Sequence, residues 1–314
     1  MLNALSAIRT RGLSAVIRAA SNDVNGRLHA LMGRKFIKKR IYNSYDMYLD
    51  LSDRGISRTL LLFGERELEH KRILELILKP GMSVLDIGCN IGYYALMELL
   101  LIGPDGTLIG VEPSPSNAQL AKRNLELNGY GGVEVHNKAI SDKKGKKNLF
   151  MSTMSNLNTF HTQGTGGIHL DGTVSTVETD TVPGIMAGRP LDLIRMDVEG
   201  HEVEVINGLL PAIEANEMKP MIVFETHLSR YGDDHDMSEP LCRLFNAGYE
   251  TRYVGSSSES GTKQMVDRGY KPIETLRSDD VERGIFENIR DQDTIDMICN
   301  TGGMRTVLLA PRSA

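Results

Sequence analysis

Two groups of residues in this chain stand out as suited to ligand binding or proton transfer. The first is the string VLDIGCNIGYYAL, residues 84–96, in which an apolar run reaches Asp86 and then Gly88, Cys89, Asn90, Ile91 and Gly92. Small residues let a backbone turn sharply and approach a ligand closely. A helix that begins at such a bend aims its free N–H groups there, which favours a carboxylate or phosphate. Glu112 closes the next apolar run, in GVEPSP, where an acid can accept hydrogen bonds from both hydroxyls of a ribose. Singly, Asp86 and Glu112 are as well explained as helix caps, and the glycines as turns. Strand, glycine bend, helix, strand and acid in this order form a nucleoside site.

The spacing also selects the nucleoside. A nicotinamide dinucleotide asks for glycine at the first, third and sixth positions of the bend. Counted from Gly88, those later positions hold Asn90 and Tyr93. The phosphate-cradling pattern GxxxxGK[ST] is absent as well. A nucleoside without pyrophosphate remains, and S-adenosylmethionine fits, with Asp86 placed to act on its amino end or through water.

The second group follows two later apolar runs. Asp197, Glu199 and His201 come after Leu191–Met196, and Glu225 and His227 come after Met221–Phe224, in FETH. If those runs are neighbouring strands, the five groups meet at their carboxyl ends, where open parallel sheets bind ligands. Transfer of a sulfonium methyl to an alcohol needs an aligned nucleophile and a place for its proton. Glu225 or His201 is expected as the base, with Asp197 orienting it. His227 is equally an ordinary loop histidine, His201 the first turn of a helix, and Asp197 or Glu199 an N-cap. The same set could hold Mg²⁺, but no recognisable ligand spacing appears, so no metal is assigned.

The elements that must position these groups alternate. Strands are predicted at Ser83–Ile87, Thr107–Val111, Val133–His136, Val174–Glu178, Leu191–Met196, Met221–Phe224, Tyr249–Val254 and Arg305–Ala310. Helices are predicted at Ile91–Leu101, Ser116–Asn128, 202–215 and 237–247. Strands alternating with helices mean βαβ units and a parallel sheet. Residues 1–44 read as a basic amphipathic helical arm, and 45–80 as a helical lead-in that stops at Lys79-Pro80-Gly81. Residues 81–314 hold the main α/β domain. The run Lys143–Lys147 reads as a turn, Gly164–Gly167 and Gly255–Thr262 as flexible, and 255–303 as an insertion before the last strand.

These strings together resemble the FkbM family of class I methyltransferases. The resemblance rests on Phe63-Gly64-Glu65, LDIGCNIGYY, VEPSP, NKAISD at 137–142 and, most distinctively, MDVEGHE at 196–202. It runs from about Tyr45 to Tyr249. It implies a Rossmann-like, seven-stranded sheet with helices on both faces and methylation of hydroxyls on sugars, glycolipids or polyketides. By the resemblance, Gly88, Cys89, Asn90 and Gly92 would line the cofactor and Glu112 would hold its ribose. Pro113 or Ser114 would lie beside the adenine, Ala139 and Ile140 would flank it, and Ser141 and Asp142 would stand near. Glu65 would approach from the lead-in. Arg195 stands where many relatives carry Lys, and 255–303 matches nothing in the pattern; both bear on the acceptor.

Composition is that of an ordinary globular protein, 40% hydrophobic and 25% charged. The three cysteines, Cys89, Cys242 and Cys299, have neither disulfide-framework nor zinc spacing, and a reducing cytoplasm suits them. Residues 1–40 carry nine Lys/Arg, among them Arg9, Arg11 and Arg18, against Asp23 alone, a net +8 in a chain of net −5. Leu2, Leu5, Ile8, Leu13, Val16 and Ile17 would form the arm's apolar stripe, packed on the body or a twin subunit, or laid on a membrane. Tyr45, Tyr48, Tyr93, Tyr94 and Tyr231 could wall a sugar site in a chain without Trp. Two other functions compete. A nucleic-acid methyltransferase guided by the arm is opposed by the acidic body and the missing [DN]PP[YF] string. A non-catalytic adenosylmethionine-binding module is opposed by the intact strings.

Overall fold

The computed structural model describes residues 12–161, 170–232 and 235–312. Gly164–Gly167 and, in the arm, Leu2, Leu5, Ile8, Arg9 and Arg11 lie outside them. The first described element is helix α1 (Leu13–Leu31). Leu13 and Ile17 of the expected stripe face solvent, so they do not pack on the body. The helix instead touches the body through Gly26, where a Cβ would stand 2.7 Å from Leu61 Cδ2.

A β-hairpin then straddles the boundary expected at residue 44, and corrects the reading of 45–80 as helical from its start. Strands β1 (Phe36–Ile41) and β2 (Tyr45–Asp50) pair antiparallel. Tyr42 and Asn43 turn between them with φ of 48° and 53°, and Ser44 N donates to Ile41 O at 2.8 Å, as a type I′ turn requires. Helices α2 (Ile56–Phe63) and α3 (Leu68–Ile77) complete the lead-in.

The main sheet follows from the predicted alternation. Its strands are β3 (Ser83–Ile87), β4 (Thr107–Val111), β5 (Glu134–His136), β9 (Leu193–Met196), β10 (Met221–Glu225), β11 (Tyr249–Ser256) and β14 (Met304–Pro311). These seven stand in the order β5-β4-β3-β9-β10-β14-β11, with β14 antiparallel to both its neighbours. Helices α4 (Tyr93–Ile102) and α5 (Pro115–Leu127) cover one face; α6 (Val182–Met186), α7 (Glu202–Glu214) and α8 (Ser238–Asn246) cover the other. The strands serve both cores by alternation: Val223 of β10 joins the first core, Ile222 and Phe224 the second.

Two regions differ from the expectation. The stretch 255–303 extends the sheet beyond seven strands. Strands β12 (Glu274–Ser278) and β13 (Val281–Ile289) form a hairpin that pairs onto β11, giving nine strands among the described residues, flanked by α9 (Glu259–Asp267) and α10 (Asp291–Cys299). Its two-residue turn, Asp279-Asp280, has φ of 49° and 71°, the geometry that matches strand twist. Gly255–Thr262 is ordered within it, because Gly261 closes on Gly303, whose oxygen is 2.3 Å from a built Cβ. The basic run 143–147 opens a strand. β7 (Gly145–Ser152) pairs antiparallel with β8 (Leu170–Asp180), and β6 (Ala139–Ile140) pairs parallel to β8, as a separate three-stranded sheet. No described helix is long and apolar enough to cross a membrane.

Candidate functional site

Strand order reverses between β3 and β9, and a crevice opens beyond the carboxyl ends of strands at such a point. There a cleft is bounded by the β3 bend, the end of β4, β6, the loop 155–160 and the β9 loop.

The bend is shaped by conformations that side chains resist. Gly88 has φ 76°, and a Cβ there would stand 2.2 Å from Asp197 O. Its N–H and that of Cys89 donate to Val111 O at 2.8 and 3.1 Å, which pins the bend to β4. Asn90 holds φ 50°, a region that asparagine tolerates. Glu112 accepts from Asn90 N and Ser114 N, each at 2.9 Å, and burial pushes its carboxyl up to about 7. Gly88, Cys89, Asn90, Glu112, Pro113 and Ala139 all line the cleft.

Other expected cofactor residues stand elsewhere. Gly92 caps α4 and meets Ala121 of α5, so its smallness serves helix packing. Ser114 donates its N–H to Glu112 and does not face the cleft. Ser141 and Asp142 turn away from it, because β6 ends at Ile140 and Ser141 N bonds to Asp180 O at 2.8 Å. Glu65 borders a different surface cavity, with Tyr42 and Arg277; Arg66 and Glu67 reach the cleft in its place. Asp86 is fully buried beneath the cleft, where its Oδ1 accepts from Arg195 at 3.2 Å. Asp86 does not line the cleft, whereas Arg195, which it holds, does.

Glu67 was not expected from sequence. It is buried against the Arg66 guanidinium, accepts from Arg305 at 2.9 Å and from Tyr94 OH at 2.7 Å, and the two cations hold it well below the usual carboxylate range. Asn156, Asn158, Phe160, Leu149 and Lys138 also line the cleft. They sit on a loop and a small sheet whose pattern is neither helical nor clearly alternating, so residue type gave no signal. Tyr93 and Tyr94 lie at the cleft floor, while Tyr231 donates to Glu202 at 3.2 Å.

Four buried oxygens on cleft-lining residues, Asn90 Oδ1, Ser155 Oγ, Asn156 Oδ1 and Asp197 Oδ1, have no hydrogen-bond partner among the described residues. Three of them can only accept. Buried acceptors left unpaired are costly, so the cleft suits a ligand rich in donors and positive charge.

At the mouth, β9 and β10 are neighbours and parallel, and the five titratable groups do come close. They do not play equal parts. His201 is 1% exposed, with Nε2 on Ser141 Oγ and Nδ1 on His161 Nε2, both at 3.1 Å. Burial pushes its ring down to about 3. With both nitrogens engaged, it is not free to act as the base. Glu225 is held by Arg305 at 3.0 Å and does not line the cleft; burial raises it to about 7. Asp197 and Glu199 do line the cleft. Asp197 Oδ2 is 3.4 Å from Arg195. Glu199 has φ 52° and, among the described residues, one ion pair, to His227 Nε2 at 3.6 Å. Burial raises it to about 8.

His227 is more than a loop histidine. Its Nδ1 meets buried Glu202 at 2.9 Å, and its Nε2 is 3.9 Å from Asp197. Glu202, Glu199 and Glu225 raise its ring well above the ordinary value despite burial. Ligand atoms of Asp197, Glu199 and His227 lie within 4.8 Å of one another.

The family model described as the methyltransferase FkbM domain matches residues 86–251. The 2-O-methyltransferase NoeI of Sinorhizobium fredii is 32% identical over 155 residues, covering 44% of this chain and 62% of that protein. Protein-L-isoaspartate O-methyltransferase 1 of Archaeoglobus fulgidus is 42% identical over 58 residues, 18% of this chain and 27% of that protein. The chain thus spans about a quarter to a third of the length of the isoaspartate methyltransferases it matches. A solved methyltransferase FkbM from Methylobacillus flagellatus is 12% identical, with TM-score 0.35, covering 73% of this chain and 52% of that one. The matched span begins at the acid beneath the glycine bend, ends in β11 beyond the carboxylate cluster, and takes in more than half of the sequence, so this chain belongs to the FkbM methyltransferase family.

Proposed function

We propose that this protein is an S-adenosylmethionine-dependent O-methyltransferase acting on a hydroxyl of a sugar or glycolipid. The observation that carries the reading is the cleft itself. A ribose-suited carboxylate, a glycine bend and four unpaired acceptors lie on its walls, and two carboxylates stand at its mouth. The two relatives named above are O-methyltransferases by name, one of them a 2-O-methyltransferase.

Glu112 would accept from the ribose, Pro113, Ala139, Ile140 and Leu149 would enclose the base, and Asn90, Ser155 and Asn156 would take the remaining donors. Adenosylmethionine supplies an electrophilic sulfonium methyl. The protein aligns the hydroxyl, excludes water and takes its proton. Glu199 is the base: it lines the cleft, and no guanidinium sits on it at ion-pair distance among the described residues, whereas Arg195 holds Asp197. His227, oriented by Glu202, stands behind both acids and stabilises the charge. We place the protein in the cytoplasm, with α1 and its solvent-facing Leu13 and Ile17 as the contact to a membrane surface or a second copy.

Methyl-labelled adenosylmethionine incubated with sugar, glycolipid and RNA acceptors tests the reading. Alkali-stable label on a sugar hydroxyl is expected. Label on RNA alone, or binding without transfer to any hydroxyl, would replace it with one of the two competing functions.

Cofactor binding carries its own pH signature. Glu112, raised to about 7 by burial, loses an acceptor site when protonated, and the ribose bonds favour its carboxylate. Affinity for S-adenosylhomocysteine is therefore expected to fall as pH drops below about 7, by up to about tenfold per pH unit, and to level off above it. Glu112→Gln should weaken binding and flatten that slope. Titration calorimetry between about pH 5.5 and pH 8 measures both, and a flat wild-type profile counts against the role of Glu112.

A further inference from the structure

Beside the cleft lies a second cluster that the methyl-transfer reading leaves unused. We propose that His161, His201, His235 and Glu204 form a binding site for a zinc-class transition-metal ion. The inference is independent of the catalytic assignment above.

Nitrogen and oxygen atoms of this set already stand at ligand spacing. His161 Nε2 is 3.1 Å from His201 Nδ1 and 3.6 Å from Glu204 Oε1. Glu204 Oε2 is 3.1 Å from His201 Nδ1, and Glu204 Oε1 is 3.5 Å from His235 Nδ1. Bonds of about 2.0–2.1 Å to a tetrahedral ion put neighbouring ligand atoms roughly 3.3 Å apart. The atoms of His161, His201 and Glu204 all lie within 4.8 Å of one another, and the His235 ring is 4.2 Å from that of His161, centroid to centroid. His235 stands outside that trio, with Nδ1 3.5 Å from Glu204 Oε1, and would complete the fourth position by closing on the ion.

Hydrogen bonding outside the cluster sets the lone pairs inward. A carbonyl only accepts, so the 2.6 Å contact of His235 Nε2 with Gly200 O puts its proton there and leaves Nδ1 bare. The Ser141 hydroxyl donates to Asp142 at 2.9 Å. Its oxygen therefore accepts from His201 Nε2, and in the neutral ring Nδ1 is the acceptor of the His161 Nε2 contact. The same Nδ1 lies 3.1 Å from Glu204 Oε2, a pair that either a proton or a shared cation bridges. Glu204 Oε2 is buried and has no hydrogen-bond partner among the described residues, and His201 is 1% exposed. A shared cation gives that oxygen its partner. Outer partners that fix the ring tautomer are what metal-ligating histidines ordinarily have. Three imidazoles and one carboxylate suit Zn²⁺ among biological ions.

Lys147, at 4.0 Å from Glu204 Oε1, is the one ammonium facing the cluster among the described residues, and it lies 3.7 Å from Asp142, to which it can turn. Four protein ligands make a closed, structural site. It would tie the loop carrying Phe160, a wall of the cleft, to the start of α7 and to the loop before α8.

The test titrates chelator-treated full-length protein with Co²⁺, read by visible absorption, and with Zn²⁺ in competition against a chromophoric chelator. One equivalent with the intense bands of tetrahedral cobalt is expected. A His161→Ala, His235→Ala double variant and, separately, Glu204→Gln should weaken binding by about 100-fold or more, while Asp197→Asn should leave it unchanged. Circular dichroism of each metal-free variant confirms that it folds. Absence of tetrahedral bands in the wild type, equal affinity in folded variants, or loss of binding in Asp197→Asn instead would each overturn the site.

Discussion

Glu199→Gln is expected to lower kcat for methyl transfer by about 100- to 10,000-fold, the range a positioned base contributes, with cofactor affinity little changed. Glutamine keeps the size and polarity of the side chain but cannot take a proton. An alcohol is only weakly nucleophilic until its proton has somewhere to go, so the whole loss should fall on the chemical step. Of the acids near the acceptor, Glu225 is committed to Arg305 and Asp197 to Arg195. Neither can easily substitute for Glu199. Single-turnover transfer separates chemistry from product release, and an acceptor with a more acidic hydroxyl should narrow the gap between variant and wild type. A kcat within about threefold of wild type, against the range expected for a base, would remove Glu199 from the mechanism.

The largest stability effect is expected at Arg195. Its guanidinium reaches Asp86 Oδ1 at 3.2 Å, Gly88 O at 3.3 Å and Asp197 Oδ2 at 3.4 Å, and stacks 4.0 Å from the centre of the Tyr94 ring. Asp86 and Glu98 beneath it are fully buried. Burial raises both acids, and the guanidinium limits that rise. Arg195→Met fills similar volume but leaves the acids without their cation. A loss of about 3–5 kcal/mol is expected at alkaline pH. The sign with pH follows from linkage. Without the cation, the folded pKa of Asp86 climbs further above its free value of 3.8. The folded state then keeps a proton that the unfolded chain has lost, and the variant's deficit grows as pH rises. Below about pH 4 Asp86 is protonated in both states, and the deficit should be smallest. Arg195→Lys should fall between, since an ammonium lacks both the fork and the stacking face. Urea unfolding at low and high pH measures this; a pH-independent deficit, or one below about 1 kcal/mol, would show that Arg195 does not carry the pair.

Much of this architecture is written in local pattern. The turn from β3 into α4 needs left-handed backbone at Gly88, Asn90 and Gly92, and such residues announce themselves in any sequence. The alternation of apolar runs and helices likewise determined a parallel sheet. The hairpin at the lead-in was legible in principle: Tyr45–Asp50 alternates buried and half-buried residues along its length, a period of two, and Asp279-Asp280 is a two-residue turn of the kind that closes strands. Both were obscured by neighbouring helical signals.

The family, the sheet and the nucleoside-type bend are legible along the chain, because each depends on residues close together in it. Which titratable side chains are free to react is settled by contacts between distant segments. His201 and His227 look alike as isolated histidines, yet burial against Ser141, some sixty positions earlier, lowers one, while Glu202, Glu199 and Glu225 raise the other. Desolvation and opposing charge act through space, and local spacing holds no record of them.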